Sequence, residues 1–366
     1  MTHPYRNLPA YTRWSLAVAE PAYPEVNPVV GFPFKVGPQD KVATAGSCFA
    51  QHIARRLKAS GYNYFVAEPG HPLAQESLAE RYNYRVFSAR YANLYTTRQL
   101  VQLIERAYGE RQPLADHWEL PNGRFVDPLR PTIEPNGFSS LAELEADRRQ
   151  HLASVRRMFE ELDVFVFTLG LTEAWVDNVD GTVFPVCPGV AGGNFDPDRH
   201  IFHNFGIGEV VEDLRVAIGR ILAVNPSARF ILTVSPVPLI ATAEDRHVLV
   251  STTYSKSVLR VACDEIARAF PERVGYFPSY EIIMGTFNRG RYFAPDLRSV
   301  TEEGVSHVMR IFMETVSTGG ANELPPPPQT DDVEAALSRL EEAQRVVCEE
   351  ELLELARKQE ASTGLN

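Results

Sequence analysis

The sequence is poor in cysteine, and its 4 thiols, Cys48, Cys187, Cys263 and Cys348, stand far apart with no Cys-x-x-Cys spacing. That pattern excludes a zinc ribbon and a disulfide scaffold, so no metal is expected and the thiols are expected to be reduced. Long apolar runs are missing as well, and no uncharged stretch reaches the length a membrane-spanning helix needs. Arg6, Arg13 and Glu20 interrupt the opening residues, which predicts no secretory leader and a cytoplasmic location. Basic runs are absent, and 36 Lys and Arg against 47 Asp and Glu leave a net charge of −11. Such a chain lacks the positive footprint of a phosphate-backbone binder and is repelled by anionic lipid, so neither nucleic acid nor a membrane is expected as a partner. No internal repeat is visible.

What the chain does have is apolar material: 44% of its 366 residues are hydrophobic, enough for a large core and incompatible with a disordered chain. Short apolar runs at residues 41–46, 163–170, 229–238 and 274–278 read as strands. Residues 49–60, closed by Gly61, and residues 141–162 and 209–224 place apolar side chains at helical spacing. Continuous apolar strands separated by helices predict an α/β fold with a parallel sheet covered by helices on both faces. The expected organisation is one domain over residues 1–322, a Pro-rich linker at 323–328 and an acidic amphipathic helical tail at 329–366. That tail holds ten acidic and four basic residues, −6 of the −11, and its apolar stripe suits packing on its own domain or docking a protein partner.

In an open parallel sheet, ligands bind beyond the carboxyl ends of the strands, so the residues that trail the strands are the candidates for chemistry. The first strand runs into Gly46-Ser47-Cys48 and then a helix carrying His52. A glycine and a small nucleophile at a strand-to-helix turn have the shape of a nucleophile elbow, where the helix N-terminus stabilises a thiolate or an oxyanion. The second strand is followed by Gly170, Thr172, Glu173 and Trp175, the third by Ser235, and the fourth by Tyr280 and Glu281. Glu173 and Glu281 suit orienting a base, binding sugar hydroxyls, or pairing with Arg98 or Lys256; Trp175 and Tyr280 suit stacking on a sugar face or filling the core. His200 and His203 are spaced like metal ligands, yet no glutamate or cysteine cluster completes a set. The glycine-rich residues 189–193 read as a loop near the site.

The string Gly46-Ser47-Cys48-Phe49-Ala50 resembles the signature of the GSCFA domain family, which is similar to a branch of the SGNH (GDSL-like) hydrolases. The likeness extends through residues 92–96 (ANLYT), 98–100 (RQL), 170–175 (GLTEAW), 233–238 (TVSPVP), 255–257 (SKS) and 276–281 (YFPSYE), over about residues 41–312. The resemblance implies a flavodoxin-like sheet and acyl-ester chemistry, as an esterase or O-acyltransferase acting on a carbohydrate or related hydroxyl substrate. It puts Cys48 at the nucleophile position, with Gly46 at the glycine and Ser47 at the aspartate of the superfamily's Gly-Asp-Ser block. Gly170 falls on the Gly-x-Asn-Asp block, where Thr172 and Glu173 stand in place of Asn and Asp, so the oxyanion contact is expected from the Cys48 N–H, Asn93 or Thr172. No cofactor is implied, and coenzyme A stays open as the acyl donor. The superfamily's Asp-x-x-His becomes Asp296-Leu297-Arg298-Ser299 here, which leaves His307, oriented by Asp296, as the expected base and His52 or His203 as alternatives. The competing expectation is a catalytically weak binding module of a polysaccharide- or peptide-modification pathway.

Overall fold

The computed structural model describes residues 3–318 and 351–354. In chain order it places β1 (Val42–Gly46), α1 (Ala50–Ala59), α2 (Glu76–Arg81), α3 (Thr97–Ala107), β2 (Trp118–Glu119), β3 (Phe125–Val126), α4 (Leu141–Glu161) and β4 (Val164–Leu169). Then follow β5 (Glu173–Asp177), β6 (Val183–Phe184), β7 (His200–Asn204), α5 (Ile207–Val224), β8 (Arg229–Val234), α6 (Val248–Ala269), β9 (Val274–Tyr276), α7 (Ser279–Met284) and α8 (Glu302–Thr315).

The four apolar runs form one parallel sheet in the order β1-β4-β8-β9. Every residue of β1 and β4 is buried, as a sheet covered on both faces requires. Alternation divides them between two cores. Ala45, Phe165, Phe167, Phe230 and Leu232 pack with α3, α4, α5 and α6. Val42, Val164, Val166 and Ile231 pack with Ile53 and Leu57 of α1 and Val308 and Phe312 of α8.

Outside β1, Tyr64 makes a single parallel bridge to Val42, framed by hydrogen bonds from Val42 N–H to Asn63 O (3.0 Å) and Phe65 N–H to Val42 O (2.8 Å). Counting that bridge as a rudimentary strand, the spatial order is the flavodoxin-like 2-1-3-4-5. The direction of winding reverses between β1 and β4, so the crevice for a ligand lies where Gly46 and Gly170 leave the sheet.

Of the residues that follow β4, Gly170 and Thr172 form the turn, and Glu173 already starts β5, the centre of a small antiparallel sheet in the order β6-β5-β7. Residues 173, 175 and 177 share one face of β5, which pairs with β6 on one side and β7 on the other. The linker at 323–328 and most of the expected tail helix lie outside the described residues; residues 351–354 are helical. No helix among the described residues is long and apolar enough to cross a membrane.

Candidate functional site

Backbone sterics dictate the turn after β1. Gly46 has φ +130°, and a Cβ there would meet the Thr168 carbonyl oxygen at 2.2 Å, so only glycine fits. The Ser47 N–H then donates to Thr168 O (2.9 Å), and the chain coils into α1 with Ala50 N–H on Ser47 O (2.9 Å) and Gln51 N–H on Cys48 O (3.1 Å). Cys48 therefore stands at the head of α1, where the helix dipole favours negative charge, while the first-turn N–H groups of Ala50, Gln51 and His52 are already engaged by the carbonyls of Ser47, Cys48 and Phe49.

The segment 92–100 fastens the neighbouring strand end to this turn. Ala92 adopts a left-handed φ of 59°, and Leu94 N–H donates to Gly46 O (2.8 Å). Thr96 and Gln99 form a capping box that starts α3: Thr96 Oγ1 accepts from Gln99 N–H, and Gln99 Oε1 accepts from Thr96 N–H (2.9 Å) and Tyr95 N–H (3.0 Å). The Tyr95 carbonyl, so held, accepts from Gly170 N–H (3.0 Å) and Leu171 N–H (3.1 Å). A side chain on Gly170 would press on Ser47 Cβ at 3.0 Å, so this glycine is what lets the two strand ends close up. From β8, Ser235 N–H donates to Leu169 O (2.8 Å).

Ser47, Cys48, Gly170 and Ser235 consequently line one small cavity of about 10 Å³, roughly the space of a single water. The fifth polar contributor is Lys256 of α6, 2% exposed, whose Nζ donates to Gly170 O (2.5 Å). Among the described residues lining this cavity it is the charged one. The Ser47 hydroxyl is buried with no hydrogen-bond partner among the described residues. From the sequence Lys256 was a motif residue and a pairing partner for Glu173 or Glu281; in the structure Glu173 accepts from Thr242 and Glu281 from Arg260 instead. Ser255 and Lys256 are the inward-facing pair of that stretch of α6, with Ser255 Oγ accepting from Thr172 N–H (3.0 Å), whereas Ser257 is exposed and donates to Thr253 O (2.7 Å).

The expected base is not there. The ring of His307 is buried on α8 and does not line the cavity, with Nδ1 on Tyr292 Oη (2.6 Å) and Nε2 on Val26 O (3.0 Å), and burial pushes its pKa down. Asp296 does not orient it: Oδ1 accepts from Arg298 N–H (3.0 Å) and Ser299 N–H (2.9 Å), and Oδ2 from Ser299 Oγ (2.6 Å). Ser299 thus makes Asp296 the clasp of its own loop. His52 packs its ring on Phe49 at 5.5 Å, away from the cavity, and burial pushes its pKa down to about 4. His203 on β7 pairs with Glu209 (2.9 Å) and does not reach Cys48's cavity.

Of the remaining candidates, Thr172 is committed, its hydroxyl donating to Asn204 Oδ1 (2.6 Å), which removes it from the oxyanion role. Asn93 is fully buried beside Leu94 and does not line the cavity. Glu281 accepts from Arg260 Nε (2.6 Å) and Tyr276 Oη (2.7 Å), and Tyr280 packs against the core, so both serve the fold. Glu173 and Trp175 belong to a second, larger cavity of about 310 Å³, which shares Tyr95, Leu171 and Leu239 with the first. Phe184, Val186 and Phe202 complete its apolar walls, none of them foreseen from the sequence. Val190 of the glycine-rich loop and Leu353 of the helical residues 351–354 also line it. Desolvation raises the pKa of Glu173, which accepts from Thr242 Oγ1 (2.8 Å).

A family model described as the GSCFA family matches residues 41–312. No curated protein and no solved structure matches the chain.

Proposed function

The chain belongs to the GSCFA family, and on that premise we propose that it is an SGNH-like acyl-transfer enzyme working through a Cys48 thioester. The observation that carries this reading is the convergence of Ser47, Cys48, Gly170, Ser235 and Lys256 on one cavity at the sheet's switch point. Cys48 loses its proton to water, helped by the α1 N-terminus and the Lys256 ammonium, and needs less assistance from a base than a serine would. Its Sγ attacks the acyl carbonyl, and the charge that develops on the carbonyl oxygen is met by the same helix terminus and ammonium. Collapse expels the alkoxide, which takes a proton from water, and leaves an acyl-Cys48 thioester. A hydroxyl acceptor, of a carbohydrate or of water, then attacks the thioester carbonyl, gives up its proton to solvent water and expels the Cys48 thiolate, which restores the enzyme. Reduced thiols and a cytoplasmic setting suit this chemistry.

A second reading has its own observation. No imidazole lines the Cys48 cavity among the described residues, which favours a catalytically weak binding module. Alkylation by iodoacetamide across pH, mapped by mass spectrometry, separates the two. An activated thiol labels at Cys48 well below pH 8, against an ordinary thiol pKa of roughly 8.5. Lys256→Met raises the alkylation pKa by about one unit or more, because removing a nearby cation disfavours the thiolate. Ordinary alkylation in the wild type, indifferent to Lys256, establishes the binding module instead.

A further inference from the structure

We propose that the 310 Å³ cavity is an acyl-chain pocket, and that the group passed through Cys48 is a neutral aliphatic chain of medium length rather than acetyl. The inference rests on the acyl-transfer reading and adds to it the class of substrate. Adjacency is its first support. Tyr95, Leu171 and Leu239 line both cavities, so the larger space lies across these three residues from Cys48, and the chain of an acyl group held there has to pass between them to enter it.

The chemistry of the walls is the second. Trp175 stands edge-to-face with Phe202 (5.8 Å), and Phe184, Val186 and Leu239 face the same space. Glu173, Gln99 and Thr242 would meet a few hydroxyls of a saccharide there, but the rest would be left unpaired against the predominantly apolar walls, a cost an alkyl chain does not carry. The acceptor sugar therefore belongs outside this cavity, at the mouth of the Cys48 site.

Charge and size narrow the class further. Glu173 lines the cavity, so a chain ending in a carboxylate would be repelled whenever Glu173 is ionised, and a neutral end is preferred. At roughly the 30 Å³ that one water-sized group occupies in a liquid, the cavity accepts on the order of eight to ten heavy atoms. Leu353 supplies an apolar wall from a part of the chain remote in sequence.

The test pairs a reaction with a binding measurement. Turnover of p-nitrophenyl esters from acetyl to dodecanoyl should rise about three- to fourfold in kcat/KM per methylene, the factor equivalent to about 0.8 kcal/mol per buried CH₂, and stop rising at about eight carbons. Ala241→Trp, a change at an exposed residue that lines the cavity, should move the maximum to shorter chains. Independently, octanamide should bind Cys48→Ala saturably, with a fluorescence change that Trp175→Phe removes. Turnover with no chain-length dependence and no octanamide binding overturns the pocket and leaves the Cys48 mechanism standing. Octanamide binding without turnover of any ester keeps the pocket and overturns acyl transfer.

Discussion

Around Arg130 the fold buries a set of ion pairs, whereas around Cys48 it buries a single lysine side chain, Lys256, in the wall of the cavity that the thiol lines. Arg130 Nη2 holds Asp127 (3.0 Å) and Asp147 (2.9 Å), Arg148 Nε adds to Asp127 (3.2 Å), and Arg90 Nη1 reaches Asp147 (2.5 Å). Glu68 accepts from Arg90 N–H (2.8 Å) and shares a hydrogen bond with the His151 ring (2.8 Å). Burial opposes ionisation of both carboxyls, yet Arg130 and its neighbours hold Asp127 well below the usual range, and His151 with Arg130 brings Glu68 down to about 2. These are among the most strongly perturbed acids in the molecule, and they are fully answered by partners. The cluster fastens the segment between α1 and α4 to α4. Perturbation of this kind marks a lock; a site is marked by charge placed where a nucleophile and an open strand end meet.

The sharpest way to break the comparison is to remove one member from each region. Cys48→Ala should abolish turnover of an activated ester, a loss on the order of 10³-fold or more, with the melting temperature nearly unchanged. Ser47→Ala should only weaken turnover. If Ser47→Ala removes the activity and Cys48→Ala spares it, the nucleophile is Ser47, whose buried hydroxyl lines the same cavity.

Asp127→Asn comes next in size and acts in the opposite sense. It leaves Arg130 and Arg148 facing a neutral group in a buried setting, and removing one partner of such a set costs about 3–5 kcal/mol. Urea unfolding should show that loss, while Cys48 in the folded variant keeps its alkylation profile. A shifted profile at full stability would mean the cluster acts on the site rather than on the fold.

Much of this was legible in the sequence because it follows from local rules. Apolar runs of strand length gave all four parallel strands, and Gly46-Ser47-Cys48 at the end of the first gave the elbow. Residues 92–100 were visible as a motif, although the capping box that explains Thr96 and Gln99 was not recognised. What stayed hidden depends on which face a helix turns inward over long separations. His307 and Lys256 both stand on amphipathic helices flanking the sheet, and spacing alone does not say that α8 covers one face and α6 the other. The larger cavity is assembled from β5, β6, β7 and the loop after β8, so no single window of sequence contains it.

Acid sharpens the contrast at smaller amplitude. Burial, aided by Arg130, pushes His151 down to about 4, so it is neutral in the fold and charged in the unfolded chain below its ordinary pKa of about 6.5. Stability is thus complete above about pH 6.5 and declines as pH falls towards 4, with His52 and His307 acting in the same direction. Glu68, depressed to about 2, contributes stability that is present above its ordinary pKa of roughly 4.3 and lost as pH falls through 2. Urea midpoints should therefore fall in two stages, and His151→Gln should flatten part of the first. A midpoint constant from pH 7 to 4.5 would show that these imidazoles titrate normally.

The smallest effect tests the join between fold and site. Thr96→Ala removes the hydroxyl that accepts from Gln99 N–H at the start of α3, and loss of such a cap typically costs about 1 kcal/mol. Gln99 can still accept from Tyr95 and Thr96 N–H, so the Tyr95 carbonyl keeps its hold on Gly170 through half of the box. The expected result is a modest drop in urea midpoint with Cys48 alkylation displaced by much less than Lys256→Met displaces it. The two readouts should therefore separate, since stability senses the cap while the thiol senses the ammonium and the helix terminus. If Thr96→Ala instead moves the alkylation pKa as far as Lys256→Met does, then the capping box is what positions Gly170 against Ser47, and the reactivity of Cys48 is set by strand-end geometry more than by charge.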